Sequence, residues 1–373
     1  MTRKLASIQR IISLSPIIGA DFIECATVQG WQLVVKKGEF NVNDLCIYFE
    51  IDSFLPDTPK LEFLGTPKTH QGKQGHRLKT IRLRGQISQG LALPLSLVFT
   101  NTETLSEGDD VTDLLDVIKY DNSLIDNAPG LRAGNPAGKF PHFIPKTDQE
   151  RIQNLVSYFE QHKDTIFEET LKLDGSSCTM YKMPRTLTMW DKFKGFFGFK
   201  AKPYHFGVCS RNLEIKPSEN YSTTFKNDDK ESEFKQSNFW YVAKKYRIEN
   251  LLPKGYAVQG ELIGPKIQAN HEKVAELDFF VFDIYNIHEQ RYLTPPERKA
   301  VMRDVLLGVN HVPTVNSCIN IFQECESVSS LLARVKGASM NSGTISEGRV
   351  YKSLDGKVSF KCINNDYLLK CEQ

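Results

Sequence analysis

The sequence predicts an α+β protein in two parts, a small β-barrel followed by a larger domain in which strands mix with helices. Three observations lead there. The first hundred or so residues hold short β-branched and aromatic runs separated by turns, with no long helical pattern. A Pro-, Gly- and Asn-rich stretch, Asn127-Ala128-Pro129-Gly130 to Gly134-Asn135-Pro136-Ala137-Gly138, then interrupts the chain. Beyond it, strand patterns mix with helix starts such as Thr294-Pro295-Pro296-Glu297. A length of 373 residues lets each part bury a core. The expected boundaries are 1–110 for the barrel, 111–145 for a linker and 146–373 for the second domain.

In chain order, the basic start Met1 to Ala20 reads as folded strand rather than a transit segment. Trp31 to Val35 and Leu45 to Phe49 are strands, parted by Lys36-Lys37-Gly38 and Asn41 to Asp44. His76 to Leu83 alternates basic or polar with apolar residues, and Ser88 to Pro94 gives a further short strand. Short strands of this number and size suit an OB-fold. One barrel face would then carry Arg77, Lys79, Arg82 and Arg84, either tracking a phosphate backbone or simply solvated. After the linker, Thr147-Asp148 signals a helix containing Arg151. Lys182 to His205 interleaves aromatics and lysines, among them Trp190, Lys192, Phe193, Lys194, Phe196, Phe197, Phe199, Lys200 and Lys202. That pattern suits base stacking or a cover for the sheet. A polar loop, Pro217 to Ser237, precedes a helix over Phe239 to Leu252. Tyr256 to Gly264 and Leu277 to Tyr285 are strands, and Leu354-Asp355-Gly356-Lys357 joins Ser346–Tyr351 to Val358–Ile363 as a hairpin.

The formal net charge is only +2, so any nucleic-acid surface must be a local patch. The eight cysteines form no C-x-x-C pair, which speaks against a zinc ribbon or dithiol motif and for reduced thiols in the cytoplasm. No apolar run is long enough to span a membrane.

The chemistry gathers at Glu169-Thr170-Leu171-Lys172-Leu173-Asp174-Gly175-Ser176-Ser177. A lysine becomes a nucleophile when a neighbouring cation or metal lowers its pKa. Asp174 falls on the same face as Lys172 if the strand continues, and can help hold that metal. Gly175 would let the backbone turn sharply. Glu261 interrupts an apolar strand and demands a partner if buried.

In order, the chain shows K-x-D-G, S-R-N, G-E, F-x-F-D, E-G and F-K. In this it resembles the covalent nucleotidyltransferase superfamily of polynucleotide ligases and capping enzymes, and within it the ATP-dependent RNA ligases with an OB domain before the catalytic domain (the fifth RNA ligase family). The resemblance covers nearly the whole chain. It implies a nucleotidyltransferase domain of ATP-grasp-like antiparallel sheets, with Lys172 attacking the ATP α-phosphorus to give a lysyl-adenylate. Arg211 would meet the nucleotide sugar or the 5′-phosphate end, and Arg151 the β- and γ-phosphates. Phe282 would stack on adenine with Phe280 as its understudy, since alternation puts both on one face. Lys361 would touch the α-phosphate, while Asp174, Glu261 and Glu347 would hold Mg²⁺ or Mn²⁺. The implied substrate is RNA or an RNA-containing nicked duplex, with no membrane and no obligate protein partner.

Two positions depart from the pattern. Leu171 stands where many relatives have an acid, so adenine selection would fall on backbone groups there. Ile363 replaces a second lysine, for which Lys357 or Lys370 would substitute. A DNA ligase, a GTP-using guanylyltransferase and an inactive RNA-binding relative remain as alternatives. The 12 residues after Lys361 leave no room for the OB domain that DNA ligases and capping enzymes place there, which favours RNA ligase. The barrel would be separable, its loss sparing the chemistry at ATP.

Overall fold

The computed structural model describes residues 3–120, 134–190, 193, 201–217, 237–265, 267–341 and 343–371. In the N-terminal domain the long strand Ala6–Pro16 pairs on one side with Leu45–Phe49 and on the other with Ile23–Val28. A register shift between Ile11 and Ser13 bends it, as a bulge does, so one strand serves two parts of a curved sheet. That sheet runs Leu91–Pro94, Leu45–Phe49, Ala6–Pro16, Ile23–Val28, Trp31–Lys36. Trp31 to Lys36 alternates buried and open residues, with Trp31, Leu33 and Val35 turned to the core. A second sheet orders Ile118–Lys119, Ser53–Pro56, Lys73–Arg77, Lys68–His70. The expected strand His76 to Leu83 is therefore two. It breaks at Leu78-Lys79, because Leu78 exchanges main-chain bonds with Asp52 and Ser53, and Thr80–Leu83 restarts as a hairpin with Gln86–Gln89.

The stretch expected to be irregular contributes two short strands. Ile118–Lys119 pairs with Ser53 and Phe54 in the barrel, and Pro136–Lys139 pairs with Leu213–Ile215 in the second domain. The helix expected from Thr147 is not formed. Lys361 donates its N–H to the Glu150 carbonyl and Arg151 bridges Lys361, so this segment is drawn into a ladder before a short 3-10 turn, Ile152–Asn154. The helix over Phe239 to Leu252 is broken into Asn238–Lys245 and Ile248–Leu251 by Arg247 at φ 51°. Ser237 caps the first piece, accepting from the Trp240 N–H at 3.2 Å. Thr294 and Glu297 form the expected capping box on Pro295–Asp304.

Two sheets make the second domain. The larger is centred on Ser176–Pro184, Tyr256–Ile263 and Asp278–Asn286, and the smaller orders Thr314–Ile319, Phe167–Lys172, Gly348–Ser353, Ser359–Ile363. Each has its own apolar core on the helix side, one around Trp240, Val258 and Phe279, the other around Phe167, Phe322 and Phe360. Between the sheets lies a third cluster, Leu171, Leu173, Ile263 and Val312, flanked by Phe280 and Phe282.

The domains are joined by buried contacts. Trp31 Nε1 donates to Asn154 Oδ1 at 2.6 Å, and Asn154 Nδ2 to Glu50 at 2.6 Å. Gly30 donates its N–H to the Gln153 carbonyl and packs so close that a Cβ there would lie 2.9 Å from Gln153 backbone atoms. The C-terminal helix Asn365–Cys371 places Tyr367 and Leu368 in the barrel's own core, with Trp31, Leu33 and Tyr48. No helix among the described residues is long and apolar enough to cross a membrane. The cysteines at 25, 46, 178, 209, 318, 325 and 362 are free thiols.

Candidate active site

The two sheets meet where Lys172 ends a strand of one and Ser176 begins a strand of the other. Lys172 pairs with Gly348, whereas Ser176 and Ser177 pair with Leu262 and Glu261. The crossover between them is Leu173-Asp174-Gly175, so Asp174 reaches the site past the strand end rather than by alternation within it. Gly175 is needed for close approach, not for a turn. A Cβ there would lie 2.4 Å from the Leu262 carbonyl oxygen, and its φ is not positive. Gly348, opposite Lys172, is at φ 154°, with the Cys362 carbonyl oxygen 2.2 Å from where a Cβ would stand.

A cavity of about 1420 Å³ opens at this junction and extends to the barrel. Arg151, Leu171, Lys172, Asp174, Arg211, Glu261, Phe282, Glu347 and Lys361 all line it. Phe280 does not. It shares a face with Phe282, but a bulge opposite Gln259 and Gly260 offsets the two rings, and Phe280 packs between the sheets. The Lys352 ammonium lies 5.8 Å from the Phe282 ring centroid and donates to the Phe282 carbonyl at 2.9 Å and to Asp283 at 2.6 Å. Leu171 donates its N–H to the Pro313 carbonyl, which already occupies that backbone donor.

The Lys172 ammonium contacts Glu347 Oε1 at 2.5 Å. Burial opposes its charge, yet Glu347 and Glu261 outweigh burial and raise its pKa. Lys172 is thus held protonated here, the reverse of the lowering expected from a neighbouring cation. The three carboxylates crowd one another. Burial, then Glu347 and Asp174, push Glu261 up to about 8 against the pull of Lys172, and burial with Glu347 pushes Asp174 up to about 6. Glu347 Oε2 is buried without a hydrogen-bond partner. Among the described residues no three His, Cys, Asp or Glu side chains are gathered as a ready metal cage. The donors nevertheless fit a hard divalent cation, being all carboxylate oxygens, mutually repelling and one of them orphaned.

A second group of charges faces them. Asp148 accepts from Lys361 at 2.7 Å, Lys119 at 3.3 Å and Arg211 at 3.4 Å, and these cations, Lys361 foremost, overcome burial to hold its pKa far below the carboxylate range. Burial lowers Lys361 to about 8 despite Asp148. Nearby, Asp52 accepts from Arg151 at 3.1 Å and Arg77 at 3.4 Å, with Arg3 at 3.9 Å. Arg151 keeps Nε and Nη1 buried without partners. Cations in such number around two carboxylates make an anion site.

Sequence reasoning missed Asp148 as a hub, reading it as a helix cap, and missed Lys119 and Lys352. Neither lysine proposed to replace the one missing at Ile363 lines the cavity. Lys357 sits on an exposed hairpin turn beside Asp355, and Lys370 is exposed on the C-terminal helix. Lys119, paired beside Lys361 on Asp148, brings the additional charge from the barrel side. The basic barrel stretch is also divided. Arg77 and Lys79 line the cavity, while Arg82 and Arg84 lie exposed on the hairpin. Of the aromatic insertion, Trp190 and Phe193 are exposed and meet edge to face, and Lys202 pairs with Glu249. Lys192, Lys194, Phe196, Phe197, Phe199 and Lys200, like the polar loop 218–236, lie outside the described residues.

Against family models, residues 5–95 match an OB-fold domain and residues 165–366 match RNA ligase. A search of curated proteins found no match. Among solved structures the chain is similar to the Naegleria gruberi RNA ligase with PPi, at 39% identity over 98% of each chain and a TM-score of 0.82. A mutant of that ligase with ATP and Mn matches at 38% identity, again over 98% of each chain, with a TM-score of 0.81. A further mutant, with AMP and Mn, matches at 37% identity over 98% of each chain and a TM-score of 0.81.

Proposed function

This chain belongs to the RNA ligase family, and from that premise we propose that it is an ATP-dependent enzyme that seals a 3′-OH to a 5′-phosphate at nicks in RNA-containing duplexes. The observation that carries the reading is the Lys172–Glu347 contact, set at the junction of two sheets inside a cavity that also holds Glu261, Arg211 and Lys361. In the first step Lys172 Nζ, having lost its proton, forms a bond to the ATP α-phosphorus while the bond to pyrophosphate breaks. The AMP then passes from Lys172 to the 5′-phosphate oxygen, freeing the amine. Finally the 3′-OH attacks the 5′-phosphorus, AMP leaves and the phosphodiester is complete.

Each residue has a task in that scheme. Phe282 stacks on adenine, Lys361 meets the α-phosphate, and Arg151 orients the β- and γ-phosphates with its unpartnered N–H groups. Arg211 meets the nucleotide sugar or the 5′-phosphate end. When bound, a Mg²⁺ or Mn²⁺ ion held by Asp174, Glu261 and Glu347 supplies positive charge against the phosphate oxygens. Such an ion would satisfy the Glu347 carboxylate in place of the Lys172 ammonium, which would ease loss of the proton from the amine. Asp148 and Asp52 keep the cations apart until phosphate replaces them. Free thiols support a reducing compartment such as the cytosol.

The test is sealing of matched nicked duplexes with RNA or DNA on each side of the break, beside label transfer from ATP and GTP. Sealing that needs an RNA 3′-OH strand, with label from ATP alone, is expected. Preference for all-DNA nicks, or label from GTP, would favour one of the alternatives.

A further inference from the structure

Asp174 is held by groups outside every motif read from the sequence. Tyr367 lines the cavity together with Asp174, and its hydroxyl acts on the Asp174 carboxylate as a hydrogen-bond donor, drawing its pKa down against burial. The Asp174 backbone N–H faces the Glu272 carboxylate, whose Oε1 accepts from Ser339 Oγ at 2.8 Å and whose Oε2 is buried without a partner. His271 meets Tyr367 edge to face, ring centroids 5.2 Å apart, and its Nε2 lies 2.7 Å from the Ile345 carbonyl oxygen. Gln268, Ala269, Asn270 and Lys273 all sit at left-handed φ of 42° to 54°. Non-glycine residues adopt that conformation at a cost, so the surroundings hold this segment against its own preference.

The other side of Tyr367 belongs to the barrel. Its ring is buried in the apolar cluster of Trp31, Leu33 and Tyr48, with Leu368 beside it. Gln89 of the barrel donates to Asn365 Oδ1 at 3.2 Å, at the start of the same helix. One side chain therefore has its ring fixed by the first domain and its hydroxyl on a carboxylate of the second.

We propose that Tyr367 is a positioning residue through which the seated barrel fixes the Asp174 carboxylate for a divalent cation. The inference rests on the ligase reading only in assigning Asp174 to the metal. A hydroxyl donor leaves the carboxylate its other lone pairs and fixes its direction, as outer partners of metal ligands do. Because the ring is packed in the barrel, displacement of the barrel core moves the hydroxyl and with it Asp174.

Mn²⁺ binding to the full-length protein, followed by electron paramagnetic resonance, reads this directly, and the Mn²⁺ dependence of label transfer from ATP accompanies it. Tyr367→Phe keeps the ring and removes the hydroxyl. It is expected to weaken Mn²⁺ binding about tenfold. The KM for ATP at saturating Mn²⁺ should stay unchanged, and the melting curve close to wild type. Leu368→Ala loosens the barrel side while sparing the hydroxyl, and should weaken Mn²⁺ binding in the same direction. Wild-type Mn²⁺ affinity in folded Tyr367→Phe overturns the proposal, and wild-type affinity in Leu368→Ala removes the barrel from it. A wild-type protein that binds Mn²⁺ but takes no label from ATP would sink the ligase reading instead, while the resonance measurement still decides the role of Tyr367.

Discussion

Lys172 and Glu347 neutralise each other, and the neighbouring carboxylates bear the consequence. Glu261, up at about 8, and Asp174, up at about 6, bind protons more tightly folded than unfolded. For acids with raised pKa, the stability they contribute is present at low pH and lost as pH climbs from the unfolded carboxylate value towards the folded one. A cation at these carboxylates displaces those protons, so its benefit should grow over the same range. The rise in melting temperature given by Mn²⁺ is therefore expected to be larger at about pH 8 than at about pH 6. Glu261→Gln should flatten that difference, and an equal Mn²⁺ shift at both pH values would mean the carboxylates do not bind the ion together. At this scale the sequence was legible wherever a residue type announced its chemistry, as with Lys172, Glu261 or Arg211. It was not legible at Tyr367, Glu272 or Asp148, whose work depends on neighbours distant along the chain.

Among the elements, Thr80–Leu83 and Gln86–Gln89 form a ribbon that exposes Ile81, Arg82, Leu83 and Arg84, turning through Arg84 and Gly85 at positive φ. Lys79, just before it, lines the cavity. If the ribbon lies along the duplex at the nick, its arginines contact backbone phosphates. Arg82→Glu with Arg84→Glu should then leave label transfer from ATP intact, weaken nick binding and make the salt slope shallower by about two. An unchanged slope would leave the ribbon merely solvated. Here the alternating pattern located a strand but not its break. Leu78 bonds back to Asp52 and Ser53, a pairing that nothing local to Leu78 reveals. Likewise Thr147 carried a good cap signal, which lost to the main-chain bond between Lys361 and Glu150. Period two put Phe280 and Phe282 on one face, yet Phe282 is itself the bulged residue, left unpaired opposite Gln259 and Gly260, and only it reaches the cavity.

Across the whole molecule, the two domains share one site. Arg3, Arg77, Lys79 and Lys119 of the barrel side line the same cavity as Lys172, and Tyr367 and Leu368 sit in the barrel's core. The separable barrel expected from sequence spacing is at odds with these contacts, because distance along the chain hides that Trp31 bonds Asn154 and that Arg151 meets Asp52. Removing residues up to about 145 would strip buried apolar surface from the C-terminal helix, at a cost on the order of 25 cal/mol for each Å² exposed. The truncated protein should melt lower and lose label transfer from ATP as well as sealing. A soluble truncation that labels at the wild-type rate would restore the barrel as a detachable grip.

If Lys172 takes AMP from ATP, peptide mass spectrometry of the ATP-treated protein will find the nucleotide there. An adenylyl adduct on Lys172, dependent on divalent cation and lost in Lys172→Ala, is the expected result. The same Lys172→Ala protein should still seal a strand that is already adenylylated, since the lysine's covalent work is then done. An adduct on another residue, or label retained at the wild-type level by Lys172→Ala, would contradict the account.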